Sequence, residues 1–244
     1  MPSFDLALFV PLLAAHLLSD FALQTDAMVR TKDRPLTFLL HILITGLCAY
    51  ILLGDFSEWR IPLLVVATHG LVDLLKIRLT GRLIDDLPAF LFDQAAHLAV
   101  IFAISAIDWS RIGIFEPWWL GQNPVSYLQT LVVISGLIAN TLAAGHFIAK
   151  ALPKMLSTNP QQLHQDSGLN GAGRYIGHLE RTLLLIFVYS GQLSAAGLLI
   201  AAKSVLRFQK ANESRRETEY ILVGTLLSFT VGIVLAFATK QLMQ

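Results

Sequence analysis

The sequence predicts an all-α, polytopic membrane helix bundle of about seven to eight transmembrane helices or half-helices. Three observations carry that expectation. Of 244 residues, 55% are hydrophobic and 14% charged, with mean hydropathy +0.61, whereas soluble domains run at about 45–50% apolar and about 25% charged. Apolar runs recur near the roughly 20 residues that cross a hydrocarbon core. Lysine and arginine gather between those runs, at 30, 32 and 34, at 76, 78 and 82, at 150, 154, 174 and 181, and at 203, 207, 210, 215 and 216. A net charge of +1 gives no argument for a nucleic-acid partner. The single cysteine, Cys48, lies in an apolar run and supports neither a disulfide framework nor a cysteine metal site.

Residues 4–20, 35–54, 61–79, 88–107, 126–150 and 218–239 read as spans. The first begins without a basic region or a small-residue cleavage site and is expected to be retained. Residues 175–208 are too long for one ordinary span, and Ser190-Gly191-Gln192 interrupts them midway. If the segment turns back there, as two short spans or a re-entrant hairpin, the four basic groups share one side, as the positive-inside rule requires. Both termini then lie outside the cytoplasm. The chain divides into an N-terminal five-helix bundle over 1–151, a polar cytoplasmic linker over 152–173, and a C-terminal hairpin plus last span over 174–244. Trp109, Trp118 and Trp119, in the external stretch 108–125, are expected in the outer headgroup belt.

Four of the seven histidines, His16, His41, His69 and His97, sit inside these apolar segments. Three have an aspartate four residues away: His16 with Asp20, His69 with Asp73, and Asp93 with His97. Residues four apart share a helix face, and such groups are costly in a bilayer without a partner or a use. The topology brings all seven to similar depth, just under the cytoplasmic leaflet. Imidazole and carboxylate are ligands for zinc, manganese or iron, and helix bundles build metal sites from i, i+4 pairs of this kind. The expected metal ligands are His16, Asp20, His69, Asp73, Asp93 and His97. The catalytic candidates are His41, as ligand or general base, with Asp20 and Asp93. Gln24, Lys76 and Gln94 are placed to orient those ligands, although Lys32, Lys76 and Arg78 also fit ordinary anchoring at the membrane face. Asn140 and His146 point roughly to the same side. Two other readings stay open: interhelical pairing of histidine with aspartate, and a proton or metal-ion relay.

In the C-terminal part Glu180, Arg181, Lys203, Arg207 and Glu219 ring the same interface. Arg181, Lys203 and Arg207 are anion-binding candidates. The alternative is a lock, Glu180 with Arg207 or Arg181 with Glu219, together with lipid headgroup attraction. Gly224-Thr225 and Ser228 offer a small-residue face for close helix packing.

The run from His16 through Asp20 to Gln24, the later His41, the turn His69, Asp73 and Lys76, and the turn Asp93, Gln94 and His97 resemble a bacterial integral-membrane family called domain of unknown function 3307. Gly173 to Arg181, Ala202 to Phe208 and Glu219 to Ser228 are similar too. The resemblance implies a multi-pass protein of the bacterial inner membrane and brings no established activity. The His-x-x-x-Asp arrangement also resembles that of inner-membrane metal-dependent hydrolases. The functional expectation is a divalent-metal-dependent hydrolase or transferase acting on a lipid-linked, phosphorylated or other anionic substrate, with membrane lipid as its surroundings. A small transporter or ion relay, and a structural membrane protein, are the alternatives.

Overall fold

The computed structural model describes residues 5–80, 87–107, 109, 117–121, 123–156, 171–208 and 215–243, and within these every regular element is helical. Five helical stretches are long and apolar enough to cross a membrane: Leu6–Leu23, Pro35–Leu53, Leu87–Ser105, Pro124–Met155 and Thr218–Gln241. The chain forms two compact units, one up to Ser135 and one from Gly136 onward.

The first unit starts with helix α1, Leu6–Leu17, whose first turn is capped by the Asp5 carboxylate accepting from the Ala7 amide at 2.8 Å. It runs on as a π-helical turn, Leu18–Leu23, in which the Ser19 hydroxyl donates to the His16 carbonyl at 3.0 Å. A π turn widens the helix and redirects its side chains. Here it carries Asp20. Helix α2, Asp26–Arg30, is a short connector capped by Thr25. Helix α3, Pro35–Leu53, begins with proline in its first turn and ends at Gly54, whose φ of 71° suits only glycine without cost. Helices α4, Arg60–Thr80, and α5, Leu87–Ser105, complete the unit.

In this bundle α1 packs on α3, α3 on α4, α4 on α5, and α5 back on α1. One end of the interior is apolar, built from Leu8, Leu12, Leu53, Ile61 and Ile104 with Trp119. The other end buries His16, His41, His69, Asp73, Asp93 and His97. The outer face is the inverse, with Leu36, Leu39, Leu43, Leu47 and Ile51 exposed along α3. Polar inside and apolar outside is the arrangement a hydrocarbon solvent selects. Helix α4 falls short of the apolar criterion that the five stretches meet, because Asp73, Lys76 and Arg78 interrupt it. Trp119 departs from the expected headgroup position: it is 1% exposed, donates to the Leu53 carbonyl at 2.8 Å and stacks on Tyr127. Trp118 is half exposed.

The division at Ser135 falls earlier in the chain than the expected 151 boundary, inside the fifth apolar run. Helix α6, Pro124–Ile138, leads into a second π-helical turn, Ala139–Ala143, and then α7, Ala144–Met155. Gly136 lies so close to the Thr239 side chain that a Cβ there would overlap it. That packing gives the second half of the run to the C-terminal unit. Of the expected linker 152–173, the ends are helical, while 157–170 lie outside the described residues.

The long segment 175–208 is a hairpin: α8, Ala172–Tyr189, and α9, Leu193–Phe208, with Gly191 at φ 70° between them. Lys203 reaches Glu180 at 2.7 Å and ties the arms together. Helix α10, Arg215–Gln241, packs along α8. Its Gly224, Ser228 and Gly232 recur every fourth residue, with Gly224 against Leu152 and Gly232 against Leu184 and Arg181. The expected small-residue face therefore packs closely, as membrane helices do.

Two outcomes test this fold. Gly232→Val should destabilise the protein by about 1–3 kcal/mol through overpacking, read as a lower melting temperature in detergent. Gly197→Ala, where nothing lies within 4 Å, should leave it unchanged. In a Cys48→Ala background, Gln192→Cys should react with a membrane-impermeant maleimide from the non-cytoplasmic side. Reaction from the cytoplasmic side alone would refute the expected orientation of the hairpin.

Candidate metal centre

Each of the four packed helices of the first unit supplies one histidine to its interior: His16 from α1, His41 from α3, His69 from α4 and His97 from α5. Four ligand atoms converge most closely. His41 Nε2 lies 3.1 Å from His69 Nε2. Asp20 Oδ1 is 3.5 Å from His41 Nε2 and 3.4 Å from His69 Nε2. Asp73 Oδ2 is 3.4 Å and 3.5 Å from the same two nitrogens. Ligand atoms bound to one ion at about 2.0–2.2 Å stand roughly 3–3.5 Å apart, the spacing that each of Asp20 and Asp73 keeps to the two imidazole nitrogens. Asp73 Oδ2 makes no hydrogen bond, although it is fully buried. A buried carboxylate oxygen facing two imidazole nitrogens without a hydrogen bond fits a cation ligand better than a helix-pairing contact.

The remaining groups surround this core. Lys32 Nζ donates to Asp73 Oδ1 at 2.8 Å, and Lys76 Nζ to Asp93 Oδ2 at 2.9 Å. Gln94 bridges, with its amide nitrogen 3.2 Å from Asp93 Oδ2 and its oxygen 3.2 Å from His16 Nε2. The Ser19 hydroxyl is 3.1 Å from Asp20 Oδ1. His97 Nε2 faces Asp73 Oδ1 at 3.8 Å and Asp93 Oδ1 at 3.6 Å. The three i, i+4 pairs are 3.7, 3.5 and 3.6 Å apart, too long for hydrogen bonds. The histidines are thus not saturated by their own aspartates. Gln24 is half-buried, and none of these contacts involves it.

The structure therefore brings together every residue of the expected ligand set and His41, with Lys76 and Gln94 beside them. It adds Lys32, which the sequence left as a loop anchor. Nothing in the local sequence separates Lys32 from its neighbours Arg30 and Arg34, because its contact with Asp73 is made between distant parts of the chain. Three carboxylates, those of Asp20, Asp73 and Asp93, thus share the interior with four imidazoles and the two ammonium groups of Lys32 and Lys76.

On the side toward the apolar core, His16, His69 and His97 border a cavity of about 20 Å³, walled otherwise by residues such as Leu12, Val65 and Ile101. That volume admits a single water.

In the second unit, Arg181 is buried and donates from Nε to the Asn140 carbonyl at 2.6 Å, from Nη1 to Ser228 Oγ at 2.9 Å and from Nη2 to the Thr141 carbonyl at 3.1 Å. The Asn140 amide returns a bond to the Arg181 carbonyl at 3.1 Å. The π turn supplies the two carbonyls, and α10 the hydroxyl. An anion grip by Arg181, Lys203 and Arg207 gains no support from this arrangement. Arg181 is committed to the protein, Lys203 pairs with Glu180, and the Arg207 side chain lies outside the described residues. Glu180 is thus locked to Lys203. Asn140 belongs to this knot, and His146 bonds locally, through Nδ1 and the Leu142 carbonyl at 2.9 Å.

Arg181→Lys is expected to lower the melting temperature markedly, since each orphaned buried acceptor costs about 1–3 kcal/mol. Inorganic phosphate should not restore it. Restoration by phosphate would reinstate an anion site.

No curated protein and no solved structure matches the chain. Residues 8–118, the stretch that holds every histidine and aspartate of the cluster, match the family model described as Protein of unknown function (DUF3307), in keeping with the resemblance that the same motifs carry in the sequence.

Proposed function

We propose that the N-terminal bundle is a divalent-metal-dependent membrane enzyme, a hydrolase or transferase that acts at the cytoplasmic leaflet on a lipid-linked or other anionic substrate. The observation that carries this reading is the approach of Asp20 and of Asp73 to the paired nitrogens of His41 and His69, at 3.1–3.5 Å. Zinc, manganese or iron fits that donor set. Bound there, the metal would polarise a phosphoryl or carbonyl oxygen and acidify a water.

The chain's own residues account for the remaining features. Lys32 and Lys76 pair with Asp73 and Asp93, and their side chains are the more accessible part of the cluster, at 16% and 24% exposure. A substrate arriving at that end meets two ammonium groups and a site made positive by the metal, which favours an anion. Gln94 fixes His16 relative to Asp93. The relay alternative is disfavoured by the opposite end of the bundle, where Leu8, Leu12, Ile61 and Trp119 close the interior with apolar side chains.

Elemental mass spectrometry of detergent-purified protein tests the metal. Wild type should carry at least one equivalent, and His41→Ala and His69→Ala should lose it while remaining folded. Occupancy should fall on acidification, because protons compete with the metal for both nitrogens. No metal in wild type, even after refilling with zinc, manganese or iron, would overturn the proposal.

A further inference from the structure

We propose that the cluster holds two divalent cations bridged by Asp73, the second seated among Asp73 Oδ1, Asp93 Oδ1 and His97 Nε2. This rests on the metal-dependent reading above and specifies the form of the centre.

The contacts of Asp20 and Asp73 with His41 and His69 use neither His97 nor Asp93. Both are buried, at 2% and 4% exposure, and neither His97 Nε2 nor Asp93 Oδ1 makes a hydrogen bond. They face each other at 3.6 Å, with Asp73 Oδ1 at 3.8 Å from the nitrogen. One ligand atom from each of Asp73, Asp93 and His97 lies within 4.8 Å of the others. An imidazolium between two carboxylates would close to about 2.7–2.9 Å. The observed spacing is that of ligands placed around a cation.

The pattern of lysine contacts agrees. Lys76 takes Asp93 Oδ2 and leaves Oδ1 turned toward His97. Asp73 presents Oδ2 to His41 and His69 and Oδ1 to His97 and Lys32. A carboxylate whose two oxygens face two separate donor sets is a bridging ligand, as in two-metal sites with ions about 3.5–4 Å apart. One imidazole and two carboxylates at this wider spacing suit manganese or iron. Three protein ligands leave manganese or iron more open coordination positions than four do, so the second ion has the greater room for water or substrate. The cavity bordered by His16, His69 and His97 gives that water a place.

The test is manganese-loaded, detergent-purified full chain, analysed for metal stoichiometry and by electron paramagnetic resonance. Wild type should bind two ions per chain with an exchange-coupled spectrum. His97→Gln and Asp93→Asn should each retain one ion with the six-line signal of isolated manganese, and their melting curves should show folded protein. A wild type that binds one ion, whether unaffected by these substitutions or lost with them, overturns the second site while leaving metal dependence standing. A wild type that binds none overturns both.

Discussion

Everything in the first unit depends on the burial of three carboxylates, Asp20, Asp73 and Asp93, in the interior of an apolar bundle. Removing a charge from water is affordable only with close counter-charge or full hydrogen bonding. Lys32 and Lys76 neutralise one oxygen each of Asp73 and Asp93. Asp73 Oδ2 and Asp93 Oδ1 turn toward imidazoles without making a hydrogen bond. A divalent cation, as proposed, would give both oxygens a partner. The helix order around the bundle, the π turn that carries Asp20 and the short α2 connector leading to Lys32 all serve to bring groups to this one place.

The second unit solves a comparable problem without an ion. Arg181 is a buried cation whose donors are met by two backbone carbonyls and a serine hydroxyl. The carbonyls come from Asn140 and Thr141, inside the π turn Ala139–Ala143. Both described π turns therefore lie at buried polar groups, Asp20 in one unit and Asn140 in the other. A regular α-helix binds its carbonyls to its own amides; a π turn loosens that pattern and makes acceptors available to a side chain.

Much of this was legible in the sequence because its cause is local. The i, i+4 pairs put His16, Asp20, His69, Asp73, Asp93 and His97 on inward faces, and the charge pattern with Gly191 indicated the turn between α8 and α9. What was illegible depends on contacts between distant residues. Lys32 reads as one basic loop residue among several until it meets Asp73. Arg181 reads as an interface cation until Asn140, Thr141 and Ser228 surround it. Trp119 carries the composition of a headgroup anchor, yet the positive-φ turn at Gly54 and the Leu53 carbonyl draw it into the core. The π turns are illegible because both lie in runs that are apolar on every side, where an inserted residue changes no visible pattern.

The distribution of the cluster over four helices also bears on biosynthesis. A helix carrying Asp73 together with His69 is a poor candidate for insertion by itself, because a charge at the centre of a helix costs the translocon about 2.5–3.5 kcal/mol. Helix α4 gains its partners only when Lys32, already synthesised, is at hand and when Asp93 and His97 follow on α5. Entry of α4 into the bilayer is therefore a cooperative event spanning several hydrophobic segments, and the polar centre that disfavours each helix singly is what selects their association.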